Sequence, residues 1–170
     1  MPTAAAVSST RSVEKLLTFR VGSEFFAIPI ARIREVLQFE RITSIPTMPP
    51  VVRGVLNLRG SVVPVLDLSV RFGRERIEQG RRTCVVILEL QHDEQLLIVG
   101  VLVDQVNEVV GVDAANLSRP PSFGASVRSD FVRGVASIGG RFVIVLDVAH
   151  VLSVEELANL ADLGSLDARA

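Results

Sequence analysis

Residues 52–67, VRGVLNLRGSVVPVLD, recur at 132–147 as VRGVASIGGRFVIVLD, with nine of sixteen positions identical at an offset of 80. Unrelated segments would share roughly one or two, so the chain carries an internal duplication. A weaker match sets FAIPIARIREVL (26–37) over VGVLVDQVNEVV (99–110) at an offset of 73. Glu35/Glu108 and Val36/Val109 are identical there, and the apolar pattern agrees. Pro49-Pro50 and Pro120-Pro121 pair at an offset of 71, so the second copy carries an insertion near Ser122–Asp130. Two copies of one small unit must fill 170 residues.

The unit is made of strands. Short runs of Val, Ile, Leu and Phe are punctuated by Gly and Pro, the pattern of β-strands and tight turns. The runs are Leu16–Val21, Glu24–Ile30, Ile33–Phe39, Val51–Leu58, Ser61–Leu66, Thr83–Leu90, Gln95–Val103, Val106–Val112, Phe131–Ile138 and Arg141–Leu146. Gly139-Gly140 is a two-residue hairpin turn, and Arg59-Gly60 takes its place in the first copy. Pro64 lacks the N–H for a ladder bond and predicts an edge or a bulge. Helices are few. Asp67 can cap Leu68–Phe72 with Gly73 as its stop, and Asp147 can cap Val148–Leu152. Ser153-Val-Glu-Glu156 is a capping box that predicts a C-terminal helix through about Leu163.

Five short antiparallel strands per copy cannot hide their edges in a flat sheet, whereas a small closed barrel can. The expected fold is mainly β, with two similar small barrels sharing a core or packed side by side. Offsets alone leave open whether strands stay in order or exchange between the barrels. Positions kept in both copies point to scaffold. Positions that differ point to something one copy does alone: Asn57 and Arg59 become Ser137 and Gly139.

Composition excludes several functions. Hydrophobic residues reach 48% and charged residues 22%, enough for a packed core. The net charge of −1 gives no bulk attraction to nucleic acid or anionic membrane. Residues 1–82 hold 13 basic and 7 acidic side chains and residues 83–170 hold 5 and 12, so the halves attract each other or face different partners. The longest apolar run, Leu96–Val103, is too short to span a membrane. The N-terminus is small and polar, which predicts a flexible arm over 1–14 instead of a secretory signal. The single Cys84 excludes an internal disulfide and fits a reducing compartment.

Chemistry-bearing motifs are missing. There is no GxSxG, HExxH, CxxC or phosphate loop. Cys84, His92 and His150 cannot make a structural zinc site. Cys84 lies in TCVVILEL and reads as a buried structural thiol, His92 as solvated in a polar turn, and His150 as a helix-surface residue. Small barrels can bind single-stranded nucleic acid through stacked aromatics, the alternative function. Against it, Tyr and Trp are absent and the eight Phe read mainly as core. The segment VLQFERI (36–42) is either a strand buried on one face or an edge open to a partner.

The segment VVRGVLNLRGSVVPVLDLSVRFG (51–73) resembles the signature of CheW-like chemotaxis coupling proteins. VGVLVDQVNEVVGV (99–112), the Pro-Pro segment and FVRGVASIGGRFVIVLDVAHVL (131–152) support it. The resemblance implies two SH3-like five-stranded β-barrels in one domain over 15–162. The first copy would span about 15–73 and the second about 83–152, with a flexible tail over 163–170. It implies no catalysis, no cofactor and no metal. It implies a cytoplasmic scaffold between chemoreceptor signalling tips and the regulatory domain of a histidine autokinase, recruited to membrane-associated arrays and able to join rings. Carried over by residue, the receptor-facing groove is Ile33, Glu35, Gly54, Asn57, Arg59, Gly100 and Val106. Arg59 would be a contact or an ion-pair partner of Glu35. Leu37, Phe39 and Ile42 are the kinase-binding candidates.

Overall fold

A computed structural model of the chain describes residues 13–39, 42–92, 94–118 and 127–152. Ten strands follow in order: β1 (Val13–Val21), β2 (Glu24–Pro29), β3 (Ile33–Gln38), β4 (Val52–Leu58), β5 (Ser61–Asp67), β6 (Cys84–His92), β7 (Gln95–Val103), β8 (Gln105–Asp113), β9 (Val132–Ile138) and β10 (Arg141–Leu146). Two short helices, α1 (Leu68–Arg71) and α2 (Val148–Leu152), follow β5 and β10. Every predicted run is a strand. Val13 and Glu14, assigned from the sequence to the arm, instead open β1 by pairing with Asp113 and Val112. The remaining arm, the predicted C-terminal helix and tail, and part of the predicted insertion lie outside the described residues.

The strands form two five-stranded sheets, ordered β8-β1-β2-β10-β9 and β3-β6-β7-β5-β4. The copies therefore exchange their first hairpins. β1 and β2 complete the sheet of β8, β9 and β10, while β6 and β7 complete that of β3, β4 and β5. The parallel pairings that result, β2 with β10 and β7 with β5, share one register: Ala27 faces Val145 as Gly100 faces Val65. The exchange also interleaves the basic and acidic halves. The ion pairs Arg34–Glu89 and Glu14–Arg133 each join one half to the other.

Each sheet curls until its ends meet at one bridge. Thr43 and Val55 exchange backbone hydrogen bonds of 2.8 and 2.9 Å, and Ser118 and Val135 exchange two of 2.9 Å. Val55 thus spends its N–H and C=O on Thr43, away from β5. Pro64, directly opposite Val55, must then point its ring nitrogen away from β4. The ladder to β7 begins only at Val65, so no bond is lost there. Pro64 therefore sits inside a central strand and not at a sheet edge, at a point where its missing N–H costs no ladder bond.

One hydrophobic cluster runs through both sheets. Its axis is a chain of rings, Phe19–Phe26–Phe72–Phe131, with centroids 6.1, 4.9 and 6.5 Å apart. These rings come from both copies, so neither sheet keeps a full core without the other. A smaller cluster of Leu16, Ala27, Val112, Ala136, Val143 and Val145 fills the β8-β1-β2-β10-β9 sheet. One phenylalanine departs from the core reading: Phe142 is 76% exposed. Phe25 is half-buried against the smaller cluster, with the Arg141 guanidinium 4.2 Å from its ring centre. Cys84 departs too. As first residue of β6 it is only half-buried, its thiol donating to the Arg82 carbonyl at 3.2 Å.

Asp67 does more than cap α1. Its Oδ1 accepts from the N–H groups of Ser69 at 2.9 Å and Val70 at 3.3 Å. Its Oδ2 accepts from the Ile77 N–H and from Arg53 Nη1, both at 2.9 Å. The carboxylate is fully buried and fully satisfied, as a buried charge must be. It ties the segment after α1 back onto β4.

Candidate functional site

The alternation along β3 places Ile33, Glu35 and Leu37 on its half-buried side and Arg34, Val36 and Gln38 outward. Phe39 and Ile42 continue the inward side and pack against the large cluster. Within the segment 36–42, residues 36–38 are thus strand buried on one face, with Val36 the exposed apolar residue, and residues 40 and 41 lie outside the described residues. Across the gap between β3 and β4 stands the β4–β5 turn. Arg59 and Gly60 both take positive φ, +50° and +89°, the two left-handed residues of a tight hairpin. The Asn57 side chain locks the turn, its Oδ1 accepting from the Gly60 N–H at 2.8 Å.

From that turn Arg59 Nη2 donates to Glu35 Oε2, bridging the gap. The hydrogen bond and the carboxylate's charge push the guanidinium pKa further up, so Arg59 is a fixed cation. Beneath the pair lies an open groove of about 580 Å³, lined by Glu35, Leu37, Gln38, Leu56, Asn57, Leu58 and Arg59. Its lining combines three leucines with an ion pair and two amides.

The structure brings together Glu35, Asn57 and Arg59 of the predicted receptor set, together with Leu37 of the predicted kinase set. Ile33 and Val106 lie elsewhere: they occupy equivalent places in β3 and β8 and pack, half-buried, against the shared cluster. Gly54 and Gly100 are buried and offer no surface. A Cβ on Gly54, at φ +149°, would strike the Thr43 carbonyl oxygen and come within 2.7 Å of Ile42 Cγ2. Gly54 is what lets the barrel close. A Cβ on Gly100 would come within 2.8 Å of Val85. Either glycine acts on a groove only by shaping the backbone around it. Gln38, Leu56 and Leu58 line the groove and were not singled out from sequence. The change from Leu56 to Ala136 between copies was a usable signal for one of them.

The groove's chemistry is that of a docking surface. Its only ionisable groups neutralise each other, and its lining holds no hydroxyl, thiol, imidazole or aromatic ring. Among the described residues, no three His, Cys, Asp or Glu side chains gather as metal ligands, and no helix is long and apolar enough to cross a membrane. His150, on the exposed face of α2, pairs with Asp147 at 2.9 Å.

The CheW-like domain family matches residues 15–156. The chain is 32% identical over 154 residues to the chemotaxis protein CheW of Rhizobium meliloti, covering 91% of this chain and 97% of that one. It is 30% identical over 145 residues to CheW of Klebsiella aerogenes, covering 85% of each. The crystal structure of the scaffolding protein TtCheW from Thermoanaerobacter tengcongensis superposes with a TM-score of 0.74 at 29% identity, over 84% of this chain and 90% of that one. The exchanged double barrel, the NLRG turn with its Arg59–Glu35 pair and these matches agree: the chain belongs to the CheW-like family of chemotaxis scaffold proteins.

Proposed function

We propose that this protein is a non-enzymatic adaptor that couples the cytoplasmic tips of chemoreceptors to the regulatory domain of a histidine autokinase. It would work in the cytoplasm, recruited to receptor arrays at the membrane. The observation that carries the reading is the Arg59 turn. A scaffold position would keep the glycine that its duplicate has, whereas Arg59 holds a left-handed backbone and spans an open groove. Strained backbone retained at one copy alone is the mark of a functional position.

In this reading Glu35, Asn57 and Arg59 meet the receptor tip, with Ile33 and Val106 beside the junction of the lobes and Gly54 and Gly100 shaping the backbone. Leu37, Phe39 and Ile42, each half-buried against the core, would offer the kinase the apolar surface they leave exposed. Leu37 lies within the Arg59 groove, so the two surfaces adjoin.

The test is a calorimetric titration of the full chain with the cognate kinase's regulatory domain and, separately, with a soluble receptor tip. Binding of both at micromolar or tighter affinity supports the adaptor. With Arg59→Ala, folded by circular dichroism, receptor binding should weaken while kinase binding persists. Undiminished receptor binding would remove Arg59 from the site, and binding of neither partner would overturn the reading.

A further inference from the structure

The duplication supplies an internal control for the groove. The gap between β8 and β9 has the same construction as the gap between β3 and β4. Both lie at the two ends of a five-stranded sheet, both are closed by one bridge, and both face a turn with two positive-φ residues. Glu108 falls at the position of Glu35 and lies within the register shift of β8, between Val106 and Val109, where Glu35 closes the shift of β3. The surrounding side chains have shrunk. Leu37 becomes Val110, Gln38 becomes Gly111, Leu56 becomes Ala136, Asn57 becomes Ser137 and Arg59 becomes Gly139.

The acid stayed and its arginine left. Glu108 is exposed, and among the described residues its side chain meets no cation, although its backbone bonds to the Thr18 hydroxyl at 2.7 and 3.0 Å. On the same face of the gap, Val110, the counterpart of Leu37, and Ile138 are half-buried apolar neighbours. An exposed carboxylate opposite a bare glycine turn has the charge to take a guanidinium, and Gly139 leaves unfilled the place that Arg59 fills in the first copy. The other copy displays that complex built within the chain.

We propose that the gap between β8 and β9 is a docking site for an arginine of a partner protein, carried on a turn between apolar residues, with Glu108 as its anion. The partner supplies in trans what Arg59 supplies in cis. Arginine is favoured over lysine because its planar fork matches a carboxylate.

The probe is a cyclised hairpin peptide bearing the first copy's turn, Leu-Asn-Leu-Arg-Gly-Ser-Val, titrated to about 5 mM against the isotope-labelled full chain and followed by amide chemical shifts. Shifts should appear at Glu108, Val110 and residues 136–139. They should weaken about tenfold when the peptide's arginine is replaced by glutamine, or with Glu108→Gln. Gly139→Arg should abolish them by restoring the pair within the chain. Should that variant not fold, Glu108→Gln, at an exposed position, carries the comparison. Shifts elsewhere, none at all, or shifts indifferent to the arginine would overturn the proposal. Broadening at these residues that grows with protein concentration and disappears in Glu108→Gln would overturn it in favour of a second copy of the chain.

Discussion

At the β4–β5 turn Arg59 sits at φ +50°, and at the β9–β10 turn Gly139 sits at +58°. The backbone path is the same, yet only the first copy places a long cationic side chain on it. A second contrast lies one strand away. Asp67 is fully buried and takes Arg53, whereas Asp147 is 36% exposed and takes His150, leaving Arg133 to pair with Glu14. The closing bridges, register shifts and helix caps match throughout. Barrel closure depends on backbone geometry, which both copies must satisfy. Surface chemistry is free to diverge once the shared core is secure. The copy with the tighter polar network is also the one that bears the decorated turn.

The sharpest way to break the comparison is at the paired aspartates. Asp67→Ala strips three backbone N–H groups of their acceptor and leaves the largely buried Arg53 without its anion, and should cost roughly 3–5 kcal/mol. Asp147→Ala removes an exposed cap and should cost about 1 kcal/mol. Equal losses in urea denaturation would show that the copies carry the same load. The paired glycines come next. Gly54→Ala forces a side chain onto the Thr43 carbonyl and the Ile42 methyl at a positive φ, so roughly 3 kcal/mol should be lost. Gly134→Ala meets Leu117 Cβ at 3.0 Å without a positive φ, and about 1 kcal/mol should be lost.

These contrasts mark how far the sequence could be read. The ten strands were legible because β-branched runs alternate between turns that only Gly or a strained residue can make. The exchange of hairpins was not, since the offsets are identical whichever sheet a hairpin joins; it takes the register of Ala27 on Val145 to see it. Asp67 was legible as a helix cap, but its bonds to Arg53 and Ile77 are tertiary and leave no local spacing to find. In the groove, Glu35 could be picked out by family likeness alone, and Asn57 and Arg59 also by their differences from the second copy. Leu37 was assigned to another surface because strand alternation does not tell which neighbour lies across the gap. Cys84 looked buried from its apolar neighbours, but as the first residue of β6 it is left half-buried.

The mildest substitutions bear most directly on function. Converting the first turn to the second, Asn57→Ser with Arg59→Gly, should leave the melting temperature roughly unchanged, because relief of the left-handed backbone offsets the lost ion pair. Receptor-tip affinity should fall about tenfold, the value of one charge-assisted contact. A large loss of stability instead would make the Arg59–Glu35 pair a structural clamp and remove the functional reason for the asymmetry. The smallest effect separates the two glutamates. Glu35→Gln should bring a slight loss of stability at low salt that vanishes near 1 M, where exposed pairs are screened. Glu108→Gln, with no cation to lose, should show no salt-dependent change. If Glu108→Gln did show one, a cation would already be pairing with it inside the chain, and the two gaps would be chemically alike after all.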